Sequence, residues 1–221
     1  MKLDVYGRHI PRQSCRAQTT LLDVGCGSGD FLMRAKEMGL SAIGCEPDEK
    51  AVVIGRRRGL NIVAGNLESA ALPLTHFDYI TLNHVIEHVI NPQTTLTKLH
   101  ELIAPSGWLW MALPNPDAIG LHCFKQGWKG FHPPYHLLIP SQKVLHDWLR
   151  SAGFINIKLV RRGAQSSNLW TESVALSRRE GCSLSMPLNK SIWLLSNLLS
   201  TCSARWGEET IIMAQRPGKH T

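Results

Sequence analysis

Three short segments of this 221-residue chain hold the residue types whose spacing could do chemistry. The first is the run Asp23-Val24-Gly25-Cys26-Gly27-Ser28-Gly29. Glycine lacks a Cβ, so such a loop can bring backbone close to a ligand or turn with positive φ at little steric cost. Asp23 at the end of a strand would point a carboxylate into the crevice, towards a cationic ligand group. Cys26 stands inside the loop, where a small side chain suffices. The second segment is Asn83-His84-Val85-Ile86-Glu87-His88-Val89. His84, Glu87 and His88 fall at i, i+3 and i+4, so on a helix they share one face. Histidine titrates near neutrality, which suits a base that takes a proton from a hydroxyl or an amine. The third is Trp128-Lys129-Gly130-Phe131-His132-Pro133-Pro134-Tyr135-His136, where the prolines argue for a loop and His132 and His136 are candidate ligand contacts.

The surrounding pattern alternates strand with helix. Leu21-Leu22 ends a strand that feeds the glycine loop and then a helix from Asp30 to Met38, closed by Gly39. A second strand, Ser41 to Glu46, meets Pro47, which opens a helix with Asp48 and Glu49 in its first turn, where the helix dipole favours acids. A third strand, Asn61 to Ala64, runs into Gly65-Asn66-Leu67-Glu68, and a fourth, Phe77 to Leu82, into the His-Glu-His segment. Next come a helix from Gln93 to Ile103, a Pro105-Ser106-Gly107 turn, a strand from Trp108 to Leu113, and a helix from Ser141 to Ala152 followed by Gly153-Phe154. Such alternation predicts a parallel α/β sheet with ligands outside the carboxyl ends of its strands.

A dinucleotide fingerprint, GxGxxG, would place its third glycine at position 30, which is Asp30. A carboxylate at that helix start would repel a diphosphate. The motif present, DxGxGxG, resembles the first motif of the class I S-adenosylmethionine-dependent methyltransferases. Over about residues 20 to 155 the order of elements also resembles the group that includes ubiquinone-pathway O-methyltransferases and many sugar or glycan modifiers. The resemblance implies a Rossmann-like seven-stranded mixed sheet with an antiparallel last strand and helices on both faces. It places the closing hairpin at Phe154 to Arg162 and Glu208 to Gln215. S-adenosyl-L-methionine is the implied cofactor, with Asp23, Gly25, Cys26, Gly27 and Gly29 seating it and Glu46, beside Pro47, accepting the ribose hydroxyls. Asn66 and Leu67 would border adenine, Asn66 standing where the family usually has Asp, and Asn83 would also lie against the cofactor. His88 and His84 would form the catalytic pair, with His84 nearer the cofactor.

Glu87 and His88, with His84 or His136, also offer the nitrogen and oxygen ligands that divalent metals accept. Metal-assisted O-methyltransferases with a Glu-x-x-Glu-His pattern exist, but here His84 replaces the first acid, and no metal is assigned.

One domain over 1–221 is expected, with a cofactor-binding core at 20–115 and an acceptor-side region at 116–221. Charge divides along the same line. Residues 1–117 carry 11 Lys or Arg against 12 acids, and 118–221 carry 13 against 5. The basic half suits an anionic acceptor, a nucleic acid or an acidic membrane surface as well as a merely solvated face, and no RNA-binding module is recognisable. An insertion at 163–207 is too long for a plain loop. In it, Ile192, Leu195, Leu199, Cys202 and Trp206, widened by Trp193, Leu194 and Leu198, form the apolar face of a helix from Asn189 to Trp206. That face could pack on the domain, wall the acceptor site, join a homodimer or lie on a membrane for a lipid-linked substrate.

Six cysteines without a CxxC pair, no apolar stretch long enough to span a membrane and no secretory signal point to reduced thiols and a cytoplasmic enzyme. Only 19 residues precede Thr20, fewer than the helices many relatives place there, although Tyr6 and His9 could fold over the site. The expected activity is methyl transfer to oxygen or nitrogen of a small-molecule or glycan-like acceptor. The alternative is a cofactor-binding regulatory partner subunit without turnover.

Overall fold

The computed structural model describes residues 19–73, 76–161, 167–179 and 190–218. Tyr6 and His9 therefore lie outside the described residues, as do 163–166 and 180–189 of the insertion. Seven strands form one sheet in the order β3-β2-β1-β4-β5-β7-β6. They are β1 (Thr20–Val24), β2 (Ser41–Glu46), β3 (Ile62–Ala64), β4 (Phe77–Asn83), β5 (Ile103–Pro114), β6 (Ile155–Leu159) and β7 (Glu209–Gln215). The first five pair in parallel, and β7 runs antiparallel between β5 and β6. This is the mixed sheet with an antiparallel last strand that the motif resemblance implied.

The helices follow from alternating sides of the strands. Along β1, Leu21 and Leu22 point to opposite faces, and each meets its own core. On one face lie α1 (Asp30–Glu37) and α2 (Glu49–Arg57), burying Phe31, Leu32, Ala35 and Val52. On the other lie α3 (Pro92–Leu102) and α5 (Gln142–Ser151), burying Leu96, Leu99, Leu145 and Leu149. Asp48 caps α2 by accepting from Lys50 N at 2.9 Å, so Pro47 sits just before the helix instead of opening it. Ser141 likewise caps α5. The Pro105-Ser106-Gly107 turn is a bulge inside β5. Phe77 pairs with Ile103 and Tyr79 with Trp108, so four residues of β5 stand against Asp78 alone, three more than the ladder needs, with Ser106 at φ 65°.

A third apolar cluster stands apart from the two sheet faces. It joins Phe124 of α4 (Ile119–Phe124), Trp128, and Trp170 of α6 (Ser167–Arg179), with Trp193 of α7 (Lys190–Cys202) against it. The helix expected from Asn189 is α7. However, its expected apolar side is not the buried one: Ser196 and Ser200 face inward, while Leu194, Leu195 and Leu198 face out. The helix α6 was not anticipated, because its inward residues at the 3.6 period are Trp170, Ser173 and Ser177, of which only the first is apolar.

Candidate active site

The glycine loop closes over the carboxyl ends of β1 and β2. Gly25 and Gly29 both take positive φ, +65° and +85°, and neither has room for a side chain. A Cβ on Gly25 would lie 2.5 Å from Val85 Cγ2, and one on Gly29 would strike Leu60 Cδ1. Behind the loop, Glu46 works with both oxygens. Oε2 accepts from Gly27 N at 2.8 Å and Oε1 from Asp48 N at 2.9 Å. Each carboxylate oxygen has a further lone pair, so the acid that shapes the loop can also accept from ligand hydroxyls.

Beside Glu46 opens a cavity of about 650 Å³, lined by Gly25, Glu46, Pro47, Asn66 and Leu67 and also by His84 and His88. That size suits a nucleoside carrying an amino-acid arm. The sequence motifs do not mark the rest of the cavity wall. It comes from Glu68, Val85, Val89 and Ile90, and from Thr94 and Thr95 in the first turn of α3. Thr95 Oγ1 donates to Glu68 Oε1 at 3.0 Å, a pairing across 27 residues that no local pattern announces.

Asp23, Cys26, Gly27, Gly29 and Asn83 do not border the cavity. The expectation that Asp23 points into the crevice is corrected: it is fully buried in the sheet, where Thr81 Oγ1 donates to its Oδ1 at 2.6 Å. Cys26 turns towards Gly44, and burial, with Asp23 and Glu46 nearby, pushes its thiol pKa far up, so it stays protonated. Gly27 acts through Glu46, Gly29 caps α1, and Asn83 continues the β4–β5 ladder opposite Ala112. Asn66 lines the cavity, but its Oδ1 accepts from Ser69 N at 2.9 Å and Ser69 Oγ at 2.7 Å. Only its amide hydrogens remain to meet a base edge.

The His-Glu-His segment does not form the expected helix. His84 sits in the left-handed region at φ 56°, and only Ile86–His88 makes a 3-10 turn. The β4 ladder carries His84 there, its N–H donating to Ala112 O at 2.8 Å. Its imidazole bridges two acids, Nδ1 to Glu87 Oε1 at 3.1 Å and Nε2 to Glu209 Oε1 at 2.9 Å. Carboxylate oxygens thus occupy both ring nitrogens of His84. His88 is different. Its Nδ1 donates to the Tyr135 carbonyl at 2.8 Å, which leaves Nε2 as the acceptor.

A second cavity, about 410 Å³, adjoins the first and is lined by His84, His88, Pro114, Lys129, His132 and His136, with Leu169 of α6 on its rim. His84 and His88 belong to both walls, so they stand where the cavities meet. His132 and His136 line the same cavity as His88. The His88 and His136 rings meet edge to face at 4.8 Å, and His136 meets His132 at 5.3 Å. His136 Nδ1 donates to Gly130 O at 2.8 Å, and burial holds its pKa below the ordinary histidine value. Ligand atoms of Glu87, His88 and His136 lie within 4.8 Å of one another, a set that could hold a cation. His84, the other candidate in the sequence, has no nitrogen to spare for it.

Glu208 holds the outer wall of this site and was also missed. Buried beside β7, it accepts from Trp128 Nε1 at 2.8 Å, Gly120 N at 2.9 Å and Trp170 Nε1 at 3.3 Å. Burial raises its pKa despite these three donors. Buried indoles require acceptors, so a tryptophan-rich half with few acids pointed to such a partner.

Among the described residues, no helix is long and apolar enough to cross a membrane. A family model described as "Methyltransferase domain" matches residues 4–159. The ubiquinone biosynthesis O-methyltransferase of Cereibacter sphaeroides is 29% identical over 147 residues, which are 60% of this chain and 59% of that protein. The chain thus spans about six tenths of that relative's length. Among solved structures, a SAM-dependent methyltransferase from Archaeoglobus fulgidus superposes with a TM-score of 0.63 at 20% identity, covering 92% of this chain and 89% of the other. A putative methyltransferase solved in complex with the Haloferax volcanii Trm112 activator gives 0.65 at 13% identity, covering 91% and 84%.

Proposed function

Since the chain belongs to the methyltransferase-domain family, with the fold of S-adenosylmethionine-dependent enzymes, we propose that it transfers a methyl group to a hydroxyl oxygen of a small-molecule or glycan-like acceptor, with His88 as the base. The observation that carries this reading is the position of His88. It lies on the wall shared by the two cavities, with Nδ1 committed to the Tyr135 carbonyl and Nε2 open.

Glu46, Gly25, Pro47 and Leu67 would hold S-adenosylmethionine in the larger cavity, which supplies an electrophilic methyl group when bound. The fit rests on Glu46, whose remaining lone pairs can accept from vicinal hydroxyls, and on the cavity's size. The rest is done by side chains. Pro114, Leu169 and the histidine row orient the acceptor ring and keep bulk water from its hydroxyl. His88 Nε2 accepts the proton that the hydroxyl oxygen loses as it becomes the nucleophile. His84, clamped between Glu87 and Glu209, positions the junction instead of moving the proton. Oxygen is favoured over nitrogen by the names of the relatives and by the need an alcohol or phenol has for a base.

The test is transfer of a labelled methyl group to a panel of phenols, catechols, sugars and amines, followed across pH in the wild type and His88→Ala. Loss of about 10²–10⁴-fold in turnover is expected. Unchanged turnover at every pH would end the assignment of His88. Tight binding of S-adenosylhomocysteine with no transfer to any class, alone or with a purified partner, would favour a regulatory subunit instead.

A further inference from the structure

The helix α7 is inside out for a protein surface in water. Leu194, Leu195 and Leu198 are 58%, 53% and 61% exposed, whereas Ser196 and Ser200 are 1% and 2% exposed. At 100° per residue the three leucines, together with exposed Cys202, fall within one arc of about 100°. The inward side follows a rule shared with α6, which also turns serines, Ser173 and Ser177, to the interior. Both helices bury serines, Trp193 is the α7 residue set against the Trp128–Trp170 cluster, and the leucines are left outside.

Charge decides what covers them. From 155 to 218 the described acids are Glu172, Glu208 and Glu209, and the last two are turned inward, which leaves Glu172 as the exposed one. Against it stand Lys158, Arg161, Arg178, Arg179, Arg205 and Arg216. Two of these gather where α7 ends. Arg161 Nη1 donates to the Cys202 carbonyl at 3.4 Å, and the Arg205 guanidinium lies 5.5 Å over the half-exposed Trp206 ring. A leucine face that finishes in arginines and an indole matches the order of a lipid surface: apolar depth, interfacial ring, anionic headgroup. A second copy of the chain would bring the same cations to meet them.

We propose that α7 docks this protein on an anionic lipid surface through Leu194, Leu195 and Leu198, with Arg161 and Arg205 against the headgroups. Trp193 of α7 packs in the cluster that contains Trp170, and Leu169, one residue away, rims the smaller cavity. Resting on the reading of that cavity as the acceptor site, docking would present it to acceptors that carry an apolar tail in the bilayer.

The experiment is vesicle flotation of the full chain with phosphatidylcholine alone and with phosphatidylglycerol added, alongside Leu194→Ser/Leu198→Ser and Arg205→Glu. The wild type should float with the anionic vesicles only and be released by high salt, and each variant should bind about tenfold more weakly or worse. Flotation equal in wild type and both variants, or none with anionic vesicles, overturns the proposal. So does a dimer, measured by light scattering, that the leucine variant abolishes, since a second copy would then be the occupant. Flotation needs no acceptor, so its failure is separable from failure of the methyl-transfer reading; circular dichroism confirms that the variants fold.

Discussion

Removing the Glu208 carboxylate should weaken the fold and change how its stability depends on pH. Glu208→Ala leaves the Gly120, Trp128 and Trp170 N–H groups buried without their acceptor. At about 1–3 kcal/mol for each orphaned donor, and less than additively, the loss should be about 3–6 kcal/mol. That is a large part of the roughly 5–15 kcal/mol a domain possesses. Glu208→Gln is milder. One amide oxygen still accepts, while the new NH₂ faces a donor, for a loss of about 1–3 kcal/mol above neutral pH that relief of the buried charge partly offsets. The pH dependence has a definite sign. Burial raises the folded-state pKa, so the contribution of Glu208 is full below the ordinary carboxylate pKa and falls as pH rises through the raised one. Between those two values the wild type should lose up to about 1.4 kcal/mol per pH unit from this group, and Glu208→Gln should not. Urea unfolding followed by tryptophan fluorescence at acid, neutral and alkaline pH measures both. Equal pH dependence in wild type and Glu208→Gln, or a loss under about 1 kcal/mol in Glu208→Ala, would refute the reasoning.

Gly25→Ala sets a Cβ against Val85 at positive φ; it should cost about 1–2 kcal/mol in unfolding free energy and at least tenfold in S-adenosylhomocysteine affinity by calorimetry. Glu209→Gln offers His84 an amide in place of an acid, and should lower turnover by about tenfold while leaving S-adenosylhomocysteine affinity within about threefold, since Glu209 is not on the wall of the larger cavity. Of the described cysteines, Cys202 is exposed, whereas Cys26, Cys45 and Cys123 are buried with raised pKa values, that of Cys45 to about 12. In a Cys15→Ser/Cys182→Ser background one thiol should therefore react with a disulfide reagent in the native state and the rest only on unfolding.

The sheet and the larger cavity were legible because local chemistry and topology coincide there. Gly25 and Gly29 need positive φ, and Glu46 ends the neighbouring strand, so the order of elements that the motif resemblance implied puts the acid against the loop. What spacing does not carry is the direction of a side chain whose partner comes from far along the chain. Asp23 satisfies Thr81, 58 residues on, instead of facing the crevice. His84 loses its helical neighbours because the ladder with β5 draws its N–H to Ala112, and Glu209, 125 residues away, takes its Nε2. The α7 pattern shows its helical period in the sequence and leaves open which way its apolar face turns; in the structure Leu194, Leu195 and Leu198 face out. Apolar periodicity names a face but not the direction it turns, and the residues α7 buries are Ser196 and Ser200.

The central claim is that the cavity at the ends of β1 and β2 seats the methyl donor on the Glu46 carboxylate. Calorimetric titration of S-adenosylhomocysteine into the wild type and Glu46→Ala tests it most directly. With up to two charge-assisted hydrogen bonds and the support of Gly27 removed, the variant should bind about 100-fold more weakly or not measurably. Equal affinity in the two proteins, or no binding to the wild type, would contradict it.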